Sequence, residues 1–129
     1  MERTSLEKLT KNTLDCAFKV HTALGPGMLE SAYEACLMYE LKQNGLKAIA
    51  QVELPIIYGD VKISAGYRLD VLVENELIVE IKAVERFHPV HTAQLLSYLK
   101  LSKKSLGLLI NFNVPRLKQG IKRVVNDLK

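Results

Sequence analysis

The sequence predicts an α/β fold in which helices pack on both faces of a mixed β-sheet. Three observations support this fold class. Apolar residues recur at helical spacing in the N-terminal third, two neighbouring segments at 67–73 and 77–84 alternate in the manner of paired strands, and residues 106–112 are almost entirely apolar. We expect the 129 residues to form one domain, 1–129, which is long enough to enclose a hydrophobic core.

Two helices are predicted before the first strand. Thr4 and Glu7 have the spacing of a capping box, with Thr4 as the N-cap of the first helix. Residues 25–27, Gly-Pro-Gly, should end that helix, and the second should open at Pro26 or just after it and end at residues 44–45, Asn-Gly. The predicted inward faces of the two helices consist of Leu6, Leu9, Thr13, Ala17, Val20 and Leu24, and of Leu29, Ala32, Tyr33, Cys36, Leu37, Glu40 and Leu41.

Four strand segments should follow these helices. Residues 48–57 are rich in Val, Leu and Ile, and Pro55 indicates that their later part lies at an edge or a bulge. A turn at 58–60 leads to a short strand at 61–63, and the hairpin of 67–73 and 77–84 comes next. If the three residues between its arms form the loop, the two arms pair antiparallel.

The C-terminal third should contain a helix, a strand and a last helix. Pro89 suits the first turn of a helix that continues through Ser102. The apolar segment 106–112 suits a central strand covered on both sides. The last helix is predicted over 116–127, and its inward residues should be Leu117, Ile121, Val124 and Val125. The predicted order is therefore α α β β β β α β α.

Composition and charge limit the classes of function. The chain is 48% hydrophobic and 25% charged, with a net charge of +4 and a pI near 9.1, which permits a nucleic-acid partner without showing one. No apolar run reaches the length of a membrane span, and the charged N-terminus lacks a signal-peptide core, so we expect a cytoplasmic protein without a membrane partner. Cys16 and Cys36 occupy apolar helical positions and are expected to be free thiols, with no zinc site.

The hairpin carries the first candidate site. Its three-residue turn places Asp70 opposite Glu80, and like charges that face each other across a strand pair destabilise it. A divalent cation such as Mg²⁺ would account for the pair, because carboxylate oxygens are its usual protein ligands. Lys82 projects to the same face as Glu80. The alternative is an ordinary solvated sheet face of mixed charge.

Two helices offer further candidates. Glu30 borders the apolar stripe of the second helix and could point toward Asp70; alternatively, it is an exposed acid near a helix N-terminus, which the helix dipole favours. His91, Gln94 and Tyr98 share one face of the third predicted helix and are the types of group that hold a phosphate or a base. The alternative is that they form the border of an amphipathic helix.

Several blocks of the sequence resemble the GxxExxY proteins. The naming signature matches residues 27–33, Gly-Met-Leu-Glu-Ser-Ala-Tyr. The further similar blocks are 66–70, 80–85, 94–98 and 107–115. The resemblance extends over nearly the whole chain.

That family is placed in the PD-(D/E)xK nuclease-like superfamily, so the resemblance implies a restriction-endonuclease-like αβα core. It assigns Asp70, Glu80 and Lys82 to the nuclease triad and Glu30 to a helical acid that joins it. Gln94 and Tyr98 resemble the QxxxY motif of RecB-like and lambda-exonuclease-like enzymes, whereas Leu69 replaces the proline of the superfamily name.

The resulting hypothesis is a deoxyribonuclease that depends on Mg²⁺ or Mn²⁺. Asp70, Glu80 and the main-chain carbonyl of Ile81 are expected to hold the metal, and Glu30 to complete the shell directly or through water. Lys82 is expected to orient or activate the attacking water and to offset charge on the scissile phosphate.

The remaining candidates concern the substrate. Gln94 and Tyr98 should position the lysine, the water or the DNA backbone, and Arg68 and His91 should bind the substrate. The competing hypothesis is a non-catalytic module that keeps the nuclease fold and binds nucleic acid or protein. A nuclease of this size is also expected to need a homodimer or a protein partner for target choice.

Overall fold

The computed structural model describes residues 2–127 of the chain. The elements follow in the order α1 (Arg3–Leu24), α2 (Glu30–Gln43), β1 (Ala48–Glu53), β2 (Ile56–Tyr58), β3 (Val61–Ile63), β4 (Arg68–Val73), β5 (Leu77–Lys82), α3 (Pro89–Ser102), β6 (Leu106–Asn111) and β7 (Ile121–Val125). Five strands form one sheet in the order β1-β4-β5-β6-β7, and β2 and β3 form a separate hairpin. Only β5 and β6 pair in parallel within the larger sheet, so the sheet is mixed, as predicted.

Helices cover both faces of the sheet and give it two hydrophobic cores. Helices α1 and α2 pack on the sheet face that carries Val71, Val79 and Ile81. Helix α2 contributes Tyr33 and Leu37 to this core. Helix α3 packs on the opposite face through Leu95, Tyr98 and Leu99, against residues that include Ile78 and Leu109. The predicted α/β class with helices on both faces is therefore confirmed, and the architecture is consistent with a restriction-endonuclease-like fold.

The hairpin has the predicted register. Val73 pairs with Leu77 and Val71 with Val79 around the three-residue turn 74–76, where Glu74 and Asn75 have positive φ. The apolar segment beyond α3 forms β6, which lies between β5 and β7 and is buried at every residue. The hairpin and β6 therefore place the first residues of β4 beside the last residues of β5 and β6.

The predicted strand at 48–57 is interrupted in the structure. It ends as β1 at Glu53, passes through Leu54 and Pro55 outside any strand, and resumes as β2. Proline lacks the N–H that a continuous ladder needs, which explains the break. As predicted, this segment lies at an edge, because β1 is the outer strand of the sheet.

The predicted last helix is wrong. Residues 117–120 form one turn of 3-10 helix, and residues 121–125 form β7, which pairs antiparallel with β6. Gly120 explains the geometry at the junction, since an added Cβ there would lie 2.1 Å from the carbonyl oxygen of Asn111. Ile121, Val124 and Val125 are β-branched and satisfy the open edge of β6 better as a strand than as a helix. Val125 is exposed and not inward-facing.

Two helix starts also differ from expectation. The N-cap of α1 is Glu2, without a side-chain hydrogen bond, so the capping box of Thr4 and Glu7 is wrong. Helix α2 begins at Glu30, and Leu29 is its exposed N-cap residue, not a core residue. Both cysteines are free thiols, as predicted. Within residues 2–127, none of the helices combines the length and the apolar character that crossing a bilayer requires.

Candidate active site

Asp70 and Glu80 meet where β4 and β5 separate. The described pairing of these strands extends to Val71 and Val79 and stops one residue before the two acids. Beyond this point, main-chain N–H groups donate to the side-chain carboxylates of the two acids and no longer to the carbonyls of the neighbouring strand. The Asp70 N–H donates to Glu80 Oε2 at 2.9 Å, and the Ile81 N–H donates to Asp70 Oδ2 at 2.8 Å. The two carboxylates therefore lie together, which agrees with the predicted register.

Burial makes this pair electrostatically unusual. Glu80 is only 5% exposed, and its pKa is raised to about 8, first by burial and then by the negative charge of Asp70. The pKa of Asp70 is also raised by burial, although the hydrogen bond from Ile81 N–H opposes that shift. Without a cation, Glu80 therefore holds its proton to a higher pH than an ordinary glutamate does. Two adjacent acids with raised pKa values are typical of sites that bind positive charge.

Lys82 and Tyr98 complete the immediate surroundings. Lys82 is the last residue of β5, two residues after Glu80, and its positive charge lowers the pKa values of both carboxyls. Tyr98 of α3 is 6% exposed, and its pKa is raised by burial first and then by the charge of Glu80. Its ring centroid is 6.0 Å from that of Tyr67. Four predicted site residues, Asp70, Glu80, Lys82 and Tyr98, thus interact electrostatically with one another at the end of the hairpin.

Glu30 approaches the same place from helix α2. Its Oε2 accepts a hydrogen bond from the Ala83 N–H at 3.1 Å, directly after β5. Glu30 and Asp70 also line one cleft of about 220 Å³, which includes Ile81 in its wall. Glu30 therefore points toward the end of β5 and does not face the far side of the sheet.

The cleft is also lined by Glu34 and Gln51, which had not been expected from the sequence. Glu34 lies one helical turn after Glu30, and its charge raises the pKa values of both Asp70 and Glu80. Its Oε1 accepts a hydrogen bond of 2.7 Å from Gln51 Nε2 of β1. The four-residue spacing from Glu30 is the signal that could have identified Glu34, because residues four apart share a helix face. No local pattern indicates Gln51.

Two other predicted residues, His91 and Arg68, make hydrogen bonds to residues outside the acidic pair. The charges of Lys82 and Glu30 act on the pKa of His91 in opposite directions. The Nδ1 of His91 also accepts a hydrogen bond from the His88 N–H at 3.2 Å, which helps to cap α3. Burial lowers the pKa of His91, and Lys82 adds to this shift. Arg68 is exposed, and its Nη1 donates to the Gln51 carbonyl at 3.4 Å.

Gln94 lies one turn before Tyr98 on α3 and is half-buried. Its predicted contact with the acidic pair stays a prediction.

The donor groups at this centre suit a hard divalent cation. The buried carboxylate of Glu80 and the half-buried carboxylate of Asp70 lie together, and a cation between them would favour the charged form of both, against the burial that raises their pKa values. Across residues 2–127, however, no three His, Cys, Asp or Glu side chains converge closely enough to form a metal cluster. Such a cation would therefore need main-chain or water ligands as well, which is usual for Mg²⁺. The ligand set of Glu30, Asp70, Glu80 and Ile81 stays a prediction.

Comparisons with known proteins agree with this geometry at the level of the family. The profile of the PD-(D/E)XK nuclease superfamily matches residues 7–124. The narrower GxxExxY group stays a prediction.

A local similarity links the chain to three curated proteins named adenylosuccinate synthetase. Those from Anaeromyxobacter sp. (strain K) and Anaeromyxobacter dehalogenans (strain 2CP-C) are each 40% identical over 57 residues, which is 43% of this chain and 13% of the relative. The matched segment is thus a small part of those proteins and shows no family. No solved structure matches the chain.

Proposed function

The chain belongs to the PD-(D/E)XK nuclease superfamily, and from this membership we propose that it hydrolyses DNA phosphodiester bonds with the help of Mg²⁺ or Mn²⁺, in DNA repair or processing. The observation that carries the proposal is a pair of hydrogen bonds: the Asp70 N–H donates to Glu80 Oε2, and the Ile81 N–H donates to Asp70 Oδ2. Together they hold the half-buried carboxylate of Asp70 next to the buried carboxylate of Glu80.

In this proposal, Asp70, Glu80 and the carbonyl of Ile81 hold the cation, and Glu30 joins them directly or through water. The bound cation would supply positive charge for the phosphate oxygens and make a nearby water easier to deprotonate. The hydrogen bond that the Ile81 N–H gives to Asp70 fixes the direction of that carboxylate before any cation arrives. This preorganisation lowers the cost of assembling the site.

Lys82 has the role of orienting the attacking water and offsetting charge on the scissile phosphate. The effect of its charge on both carboxyls supports this role, because an ammonium group at the end of β5 balances negative charge that develops during phosphoryl transfer. The Tyr98 hydroxyl and the Gln94 amide, on one face of α3, would position Lys82, the water or the DNA backbone.

Substrate contacts are proposed for residues at the margin of the cleft. Arg68 is exposed beside Gln51 of β1, where a guanidinium group can reach a phosphate. His91 is close enough to Lys82 for the charge of that residue to lower its pKa, and it would contact the DNA backbone there. The net charge of +4 is favourable for a polyanionic substrate.

The test is direct. Purified protein is incubated with linear, circular, single-stranded and branched DNA in Mg²⁺, Mn²⁺ or EDTA. We expect cleavage that EDTA abolishes and that Asp70→Asn and Lys82→Ala each remove. Lys100→Ala, at the C-terminal end of α3, is the matched control because Lys100 is an exposed lysine away from the cleft.

Intact DNA on all four substrates in both metals would contradict the proposal. Retained DNA binding under those conditions would instead favour a non-catalytic binding module with the same fold.

A further inference from the structure

Gln51 has an unusual backbone conformation in the middle of strand β1. Its φ is +56°, in the left-handed region that residues other than glycine seldom adopt. It is the only such residue within a strand of residues 2–127; Glu74, Asn75, Lys103 and Asp127 also have positive φ but lie in turns or bends. Conformations of this kind persist only where neighbouring groups hold them, and they concentrate at functional sites.

The kink lies opposite Asp70. Ala50 pairs with Val71 and Val52 with Leu69, so the register places Gln51 across from Asp70. These two residues nevertheless do not form a ladder pair between β1 and β4. The Gln51 carbonyl instead accepts a hydrogen bond from Arg68 Nη1, and the Asp70 N–H donates a hydrogen bond to Glu80 Oε2. The carbonyl and the N–H that would meet in a regular ladder are thus directed to other partners.

The side chain of Gln51 is also fixed. Its Nε2 donates to Glu34 Oε1 at 2.7 Å, which ties the kinked edge strand to helix α2 across the cleft. Gln51, Glu34 and Asp70 all line that cleft. Gln51 therefore has partners on two sides, Glu34 at its side chain and Arg68 at its carbonyl.

We infer that Gln51 is a positioning residue of the nuclease centre. By turning its own carbonyl away from Asp70, it frees the Asp70 N–H to bind the Glu80 carboxylate, and this bond sets the direction of Glu80. The inference rests on the proposed function for its catalytic meaning, but the hydrogen-bond exchange is a property of the protein alone. The competing explanation is a bulge that only protects an edge strand from aggregation.

Three substitutions separate backbone from side-chain effects. Gln51→Gly keeps the left-handed conformation and removes the amide. Gln51→Val replaces the residue with a β-branched one that disfavours positive φ, and Gln51→Ala is a milder version that tests the same preference if the valine variant does not fold. The matched controls are Ile49→Gly and Ile49→Val, because Ile49 is an exposed residue of the same strand without positive φ.

Thermal melts give the first readout. At position 51 the glycine variant should melt above both the alanine and the valine variants, whereas at position 49 the glycine variant should melt below the valine variant. If glycine is also the least stable choice at position 51, the left-handed conformation is not present in solution and the inference is overturned.

The second readout is amide hydrogen exchange at Asp70, measured by NMR without metal. In the wild type and in Gln51→Gly, Glu80→Ala should accelerate exchange of the Asp70 N–H on the order of tenfold, because its acceptor is lost. In Gln51→Val, or in Gln51→Ala where only that variant folds, the acceleration should shrink markedly, because β1 competes for the same N–H. Equal acceleration in all backgrounds would show that the kink does not direct this bond.

Binding of Mn²⁺ by calorimetry connects the kink to the active centre. Gln51→Gly should bind close to wild-type affinity, and Gln51→Val or Gln51→Ala should lose roughly tenfold, the size of effect typical of groups that orient metal ligands. If the valine or alanine variant binds as tightly as the glycine variant, the positioning role is wrong. If the wild type neither binds Mn²⁺ nor cleaves DNA, the proposed function fails, and hydrogen exchange at Asp70 still decides the structural part.

Discussion

Glu80→Gln should stabilise the metal-free protein in a manner that depends on pH. Glutamine has nearly the shape of a protonated glutamic acid but cannot ionise. The pKa of Glu80 is raised from 4.5 to about 8, so the folded protein holds this proton more tightly than the unfolded chain does. The stabilisation from the protonated side chain is therefore complete below pH 4.5 and is lost as the pH rises through about 8.

The magnitude follows from that interval. At ~1.4 kcal/mol for each unit between 4.5 and about 8, the total is roughly 4–5 kcal/mol, most of which is lost by pH 8. Asp70 and Glu80 titrate as a pair, so the change of the unfolding free energy with pH belongs to both groups together. We therefore expect the free energy of unfolding of the glutamine variant to exceed that of the wild type by about 2–4 kcal/mol at pH 8 and to approach it at pH 5.

Urea unfolding in EDTA at half-unit steps from pH 5 to pH 8 measures this difference. The matched control is Glu85→Gln, since Glu85 is an exposed glutamate three residues after Lys82. The control should follow the wild-type pH dependence. If Glu80→Gln and the wild type keep the same difference across the whole range, Glu80 is not the buried acid that the structure indicates.

Three further outcomes are expected. In EDTA, Asp70→Asn should melt above the wild type by an amount worth on the order of 1 kcal/mol, because one of two repelling acids is removed. Saturating Mn²⁺ should reverse or abolish that order of melting temperatures. A lower melting temperature of the variant without any effect of Mn²⁺ would indicate an ordinary charged face. Lys82→Ala should lose turnover while DNA binding in Ca²⁺, measured by filter retention, persists as in Lys100→Ala; full activity would exclude a catalytic role. Gly120→Ala should destabilise the fold by roughly 2 kcal/mol or more in urea unfolding, because its Cβ would lie 2.1 Å from the Asn111 carbonyl oxygen, and a neutral effect would contradict the close approach.

The hairpin was predictable because its determinants are local. Alternation in two short segments and a three-residue turn fix the register, and the register brings Asp70 to Glu80. The inward face of α1 was predictable for the same reason, since helical spacing alone selects residues such as Leu6, Leu9 and Val20, and these are buried.

The errors and omissions depend on distant parts of the chain. Residues 121–125 have an apolar spacing that fits a helix, but the open edge of β6 makes them a strand. Gln51, with its left-handed backbone, makes hydrogen bonds to Glu34 and Arg68, which come from α2 and β4. Neither partner is adjacent to Gln51 in the sequence, so no local pattern could have indicated the left-handed residue opposite Asp70.

The most direct test of the central claim is a crystal structure of the protein soaked in Mn²⁺, with an anomalous difference map that locates the ion. The proposed centre predicts a peak between the carboxylates of Asp70 and Glu80, at about 2.0–2.4 Å from an oxygen of each. Asp70→Asn crystals treated in the same way provide the control and should lose most of that peak. A wild-type map with no peak at these carboxylates, in crystals that retain the Asp70–Glu80 hydrogen bond, would contradict a metal-dependent nuclease centre at this hairpin.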